Sequence, residues 1–334
     1  MSIQKYSNTI TSLVLTLALS TGLAISACSA ESANETTPYS TQSIKKDHSS
    51  DFESVYATAN QGDPQAQLQL GTMYEHGKGV NEDKIKAEQW YRKSAEQGLA
   101  DGQNALAKLY YFNMELEPIF NESIAWFGKA AAQGQPESQY YIGIFYEDGY
   151  DRPINNNQAL KWYRKSAENG FATAQLQLGI IYFEGEWVEQ DYKEAYKWTR
   201  KAAEQGDMEA QYNLGVMYAN GLGVKQHDAL AAKWYYKSAE QGYAAAQNNL
   251  GLLYYSGDGI EKNYGKAFEL YKKAAMQGNV NAQINVWGAY YLGIGVPKDE
   301  KKAEEWYQRA VAEGGQETQN IIDELINEGK ARVE

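Results

Sequence analysis

Apolar residues along most of the chain recur with the 3.6-residue period of a helix, in short stretches closed by glycine. Between Asp207 and Gly242, Ala210, Leu214 and Met217-Tyr218 fall on one helical stripe. Ala231, Trp234-Tyr235 and Ser238-Ala239 fall on a second. Gly221 and Gly223 stand between the two stripes and tolerate positive φ, so the chain can leave the first helix and reverse direction. Gly242 ends the second helix, and Gly215 inside the first leaves room for a neighbouring helix to approach. The pattern predicts an antiparallel pair of helices.

This pair is repeated. Gln67, Gln103, Gln139, Gln175, Gln211, Gln247 and Gln283 are spaced 36 residues apart, and each is followed seven residues later by a tyrosine, from Tyr74 to Tyr290. The closing glycines Gly98, Gly134, Gly170, Gly206, Gly242, Gly278 and Gly314 keep the same step. A unit that cannot bury its apolar face alone must stack on its neighbours, which predicts a solenoid. Pro64 and Pro136 follow such glycines, where the first turn of a helix accepts proline. Phe52 to Gly62 reads as a lone second helix before the array, and Thr318 to Ile326 as a closing helix after it. Most of the 27 tyrosines and 8 tryptophans recur at fixed repeat positions and read as core.

The recurring residues resemble the Sel1-like repeat, a relative of the tetratricopeptide repeat with a longer loop between its helices. The matching elements are Ala-Gln-x-x-Leu-Gly-x-x-Tyr, then Gly-x-Gly-Val, then Ala-x-x-Trp-Tyr-x-Lys-Ala-Ala-Glu-Gln-Gly, over about Gln61 to Gly314. The resemblance implies an all-α, right-handed α-solenoid of about seven 36-residue helix pairs, occupying 52–334. In the second unit Ala107 replaces the helix-packing glycine, and Asn113 and Glu115 replace the loop glycines. The third carries Tyr150-Asp151-Arg152-Pro153 in its loop, and the fourth Glu186-Trp187. Loops 113–120, 150–156 and 186–190 are thus expected to form one atypical patch. In the seventh unit Trp287 takes the glycine slot and Gly288 follows.

The N-terminus has a different character. Lys5 precedes an apolar run from Ile10 to Ile25 that is short and interrupted by Ser, Thr and Gly, the pattern of a secretory signal peptide. It ends Ile25-Ser26-Ala27-Cys28, which resembles the bacterial lipobox, and Cys28 is the only cysteine. The resemblance implies cleavage after 1–27, lipidation at Cys28 and, with Ser29 next, forwarding to the outer membrane facing the periplasm. The other possibility is ordinary peptidase cleavage. Residues 28–51 are rich in Ser, Thr, Asn and Glu with few large apolar residues, and read as a disordered tether.

Candidate chemistry is sparse. Ser43-Ile44-Lys45-Lys46 matches an S-x-x-K pattern but lacks S-D-N and K-T-G partners. His48, His76 and His227 are too dispersed to hold a metal without cysteine, so no metal or cofactor is expected. The Gly-x-Gly pairs lack the strand and lysine of a phosphate loop and read as turns. A net charge of −12 disfavours nucleic acid and anionic membrane surfaces and favours a basic or neutral protein or peptide.

Treating the first helices at 100° per residue places positions one, five, eight and nine after each Gln opposite the packed stripe. In tetratricopeptide-like arrays that face lines the concave groove. By this mapping it carries Tyr111, Phe112, Tyr140, Phe183, Tyr212, Tyr255 and Tyr291, with Glu75, Glu147, Asp148, Glu184 and Asn220. One reading is an aromatic and acidic channel for a partner. The other is that superhelical winding packs many of these side chains against the next repeat. The expected function is a non-enzymatic, lipid-anchored protein-interaction adaptor of the bacterial cell envelope. The rivals are an enzyme of cell-wall or β-lactam chemistry and a peptidoglycan-binding module. Some cysteine-rich secreted Sel1-like proteins are linked to penicillin binding, but those carry cysteine pairs in each repeat and this chain has none.

Overall fold

The computed structural model describes residues 48–112, 120–150 and 152–331, all helix, turn or loop without a strand. The chain divides into two compact units, with the division between Leu178 and Gly179. The N-terminal unit contains α1 (His48–Asn60), α2 (Pro64–His76), α3 (Lys84–Glu96), α4 (Ala100–Phe112), α5 (Phe120–Ala132), α6 (Pro136–Asp148) and α7 (Asn156–Glu168). α8 (Ala172–Glu184) spans the division. The C-terminal unit continues with α9 (Tyr192–Glu204), α10 (Met208–Asn220), α11 (Asp228–Glu240), α12 (Ala244–Ser256), α13 (Tyr264–Ala275), α14 (Val280–Leu292) and α15 (Glu300–Ala331). This is the all-α repeat solenoid that the spacing predicted. α1 is the expected lone second helix, and it begins at His48, inside the stretch read as tether.

Local chemistry sets the helix limits. Asp63, Asp83, Asn155, Asp207, Asn263 and Asn279 cap helix starts by accepting a backbone N–H from the first turn, as in Asp207 Oδ1 from Ala210 N at 2.8 Å. At the far end of α10, Gly221 is left-handed at φ 69° and its N–H bonds to the Met217 carbonyl. The end of the array departs from the regular step. The left-handed residue is Gly315 (φ 68°, ψ −156°), one residue beyond the expected Gly314, and it divides α15 into two helical parts. A Cβ on Gly314 would lie 2.1 Å from Thr318 Oγ1 and 2.8 Å from Val280 Cγ1, so this glycine is required for packing.

The recurring glutamine ties successive helices together. Gln211 is buried, donates Nε2 to the Ala203 carbonyl at 3.2 Å and accepts from Gln241 Nε2 at 2.9 Å. Gln67, Gln103, Gln139 and Gln247 repeat both bonds, the donors being Gln97, Gln133, Asn169 and Gln277. A buried amide placed this way satisfies carbonyls that a helix end otherwise leaves without partners. At the seventh unit Glu313 stands where the glutamine donor would be. Gln283 then gives its Nε2 to both Ala275 O (3.4 Å) and the Glu313 carboxylate (2.8 Å), and its buried Oε1 has no partner.

Two further periodic contacts build the pairs. A Cβ on Gly71, Gly143, Gly215 or Gly251 would sit 2.5–2.6 Å from the ring of Tyr91, Tyr163, Tyr235 or Tyr271, so glycine lets each tyrosine lie against the facing helix. On the second helices each tryptophan is covered by a cation three residues on. The N-terminal unit has Lys93 over Trp90 (3.7 Å), Lys129 over Trp126 (3.6 Å) and Lys165 over Trp162 (4.2 Å). The C-terminal unit has Lys201 over Trp198 (4.3 Å), Lys237 over Trp234 (4.0 Å) and Arg309 over Trp306 (4.9 Å). In the seventh unit Trp287 is buried in the glycine slot, and Gly288 faces open space beside an apolar cavity of about 50 Å³.

Candidate functional site

The predicted aromatic and acidic residues converge in the N-terminal unit. Tyr111 and Phe112 end α4, while α6 supplies Tyr140, Tyr141, Phe145, Glu147 and Asp148. The Tyr111 ring lies 4.9 Å from Phe112, 5.3 Å from Tyr141 and 5.9 Å from Phe145. Tyr141 stacks on Phe127 at 4.5 Å, and Phe145 meets Tyr150 edge-on at 6.1 Å. Burial pushes the Tyr111 hydroxyl up to about 12, with Tyr150 and Asp148 adding to the shift. The surface of this cluster is Phe112, 57% exposed, and Tyr150, 53% exposed, with Asp148 also exposed. Rings locked by their neighbours and open on one side lose little entropy on meeting a partner.

Glu147 has a structural use that its spacing did not disclose. The Tyr163 hydroxyl donates to its carboxylate, as Tyr91 donates to Glu75 at 2.6 Å two repeats earlier. Burial is the main reason the Glu147 carboxyl is raised; the Tyr163 bond opposes the shift and Asp148 adds to it. Tyr140 is half-buried between Tyr163 (5.3 Å) and Phe171 (5.5 Å), and contacts Tyr141 at 5.8 Å. One chain of contacts therefore joins Tyr111, Tyr141, Tyr140, Tyr163 and Glu147.

The candidates of the C-terminal unit are not gathered in this way. Phe183 is buried, with its ring 5.2 Å from Tyr192. Tyr212 is buried between Tyr235 (5.8 Å) and Tyr243 (5.3 Å). These two side chains are buried, with ring neighbours in their own repeats. Tyr255 is half-buried against Tyr264 at 5.1 Å and borders the small cavity. Tyr291 stacks on Trp287 at 5.4 Å. Glu184 is exposed, its carboxyl raised by partial burial and by Glu186. Asn220 is exposed and donates Nδ2 back to Val216 O at 2.9 Å.

Sequence reasoning missed Tyr141, which joins Tyr111 to Tyr140. The signal was its position two after the glutamine, where the other repeats carry Gln, Ala or Asn. Cys28 and residues 113–119 and 151 lie outside the described residues. Of the atypical loops, 150–156 belongs to the N-terminal unit and 186–190 to the C-terminal unit. Among the described residues no three His, Cys, Asp or Glu side chains gather as a metal site, and no helix is long and apolar enough to cross a membrane.

The Sel1 repeat family model matches residues 64–99, 100–135, 136–171, 172–207, 209–243, 244–279 and 287–315. Among solved structures, the chain is similar to a protective antigen of uropathogenic Escherichia coli displaying an SLR fold. That pair shares 35% identity at a TM-score of 0.71, over 80% of this chain and 57% of the antigen. The chain therefore spans little more than half of the antigen's length. A Sel1 repeat protein from Oxalobacter formigenes shares 33% identity at a TM-score of 0.60, over 82% of this chain and 79% of its own. No curated protein matches the chain.

Proposed function

The chain belongs to the Sel1 repeat family, whose members are generally non-enzymatic protein-interaction scaffolds, and from that premise we propose that it is an adaptor docking a partner protein on its first-helix face. The observation behind this reading is the cluster at the ends of α4 and α6. Exposed Phe112 and Tyr150 sit on a rigid base of half-buried tyrosines beside exposed Asp148. Aromatic anchors in such a setting carry a large share of binding energy, and the adjacent carboxylate selects a basic or neutral segment. The chain's net charge of −12 favours the same partner.

The adaptor reading includes a place in the cell: cleavage after residue 27, a lipid on Cys28 and an outer-membrane location facing the periplasm. Its support is the Ile25-Ser26-Ala27-Cys28 sequence at the end of an apolar run. Palmitate labelling of wild type and of Cys28→Ala tests the anchor separately from the docking face.

Docking is tested by affinity capture from an envelope extract, with wild type beside a Phe112→Ala/Asp148→Lys variant of unchanged thermal stability. Both positions are exposed, whereas Glu147 is left intact because it holds Tyr163. A protein recovered by wild type and lost by the variant is the expected result. Recovery of the same set by both overturns the docking face.

A further inference from the structure

The tryptophan positions of the second helices are filled in six units: Trp90, Trp126, Trp162, Trp198, Trp234 and Trp306. Each indole lies beneath a Lys or Arg three residues later. The sixth unit breaks the series. Leu270 stands where the indole would be, while Lys273 keeps the place of the cation. Among the described residues Lys273 covers no ring and enters no ion pair.

A groove lies at this position. An open hollow of about 470 Å³, easily wide enough for one indole, lies between the second helix of the fifth unit and the two helices of the sixth. Its lining includes the apolar Leu250, Tyr254 and Leu270 and the charged Lys266, Lys273, Glu240 and Glu269. Two lysines and two glutamates leave the lining charge-balanced, which suits a neutral ring. Lys266 already covers the Tyr254 ring at 5.2 Å, so Lys273 is the cation available to a newcomer.

From this gap we infer that the groove at Leu270 is a binding site for an indole side chain presented by a partner protein, inserted where the other units carry their own tryptophan. The partner's ring would lie under Lys273 and over Leu270, reproducing a contact built six times elsewhere in the chain. This site is formed by the fifth and sixth units and is separate from the α4 and α6 cluster proposed above for docking.

The test is a ¹⁹F NMR titration of the purified full chain with N-acetyl-5-fluorotryptophanamide, whose capped ends mimic a residue within a protein. Saturable binding is expected. Lys273→Met should weaken it about five-fold, the usual worth of a partly desolvated cation–π contact. Leu270→Trp fills the groove from within, and should abolish binding while raising the melting temperature. No saturable binding by wild type, or undiminished binding by Leu270→Trp, overturns the site. Tighter binding of free fluorotryptophan than of the capped probe overturns the assignment to a protein-borne ring. The assay uses one small ring and no partner, so its failure leaves the docking face on α4 and α6 untouched.

Discussion

The third loop between paired helices, in the N-terminal unit, differs from the fifth, sixth and seventh, in the C-terminal unit. In the C-terminal unit the fifth, sixth and seventh loops are built on Gly223, Gly259 and Gly295, each pressed against the start of the preceding second helix. A Cβ there would lie 1.9 Å from Tyr192 O, 2.3 Å from Ala229 N and 2.2 Å from Tyr264 O, respectively. These loops are consumed by stacking. In the third loop Tyr150 follows the capping Gly149, its ring 53% exposed, and Arg152 covers the Tyr146 ring at 4.6 Å. The candidate docking surface lies beside a loop whose sequence departs from the repeat.

The sharpest way to break this comparison is Gly259→Ala. The new methyl group would strike backbone of the preceding helix at a residue already at φ 69°, so a loss of about 3 kcal/mol or more is expected by urea denaturation. Gly62→Ala in the N-terminal unit is the control. Its φ is 97° but nothing lies within 4 Å of the added carbon, leaving only the backbone term of about 1–2 kcal/mol. Equal losses at the two positions would mean that stacking adds nothing.

Gly251→Ala probes helix packing rather than loop packing. The added carbon would meet the Tyr271 ring at 2.6 Å, and overpacking of this kind costs about 1–3 kcal/mol. A change in the opposite direction is expected from Glu313→Gln. The new amide can donate to the orphaned Gln283 Oε1 and complete the ladder, gaining about 1 kcal/mol.

A further effect is a pH dependence in the C-terminal unit. Burial first, and Asp207 second, push the Glu209 carboxyl up to about 7 from its ordinary 4.5. The folded protein then holds a proton that the unfolded chain releases. Stability should fall as pH rises from about 4.5 to about 7 and level off above, and Glu209→Gln should remove most of that slope.

What was legible in the sequence was whatever packing demands at every step. Gln211 recurs in every unit, and Gly215 meets Tyr235 in a contact repeated at Gly71, Gly143 and Gly251, so spacing alone exposed the helix pairs. The helical wheel also placed Tyr111, Asp148 and Phe183 on one strip of their helices. It could not tell that Phe183 and Tyr212 would be covered, because covering depends on rings from other helices, Tyr192, Tyr235 and Tyr243. Nor could it show that Glu147 receives a hydroxyl from Tyr163, sixteen residues away on the facing helix. Nor did the regular step show that the last positive φ falls at Gly315 while Gly314 is packed against Val280 and Thr318.

The central claim is tested most directly by site-specific photocrosslinking in cells. Phe112 or Tyr150 is replaced by p-benzoylphenylalanine, with exposed Met276 replaced in the same way for reference. Positions 112 and 150 are expected to give the same protein adduct, lost when Asp148→Lys is added, and position 276 is expected not to give it. An adduct formed equally from 276, or none from 112 and 150, would contradict the docking face.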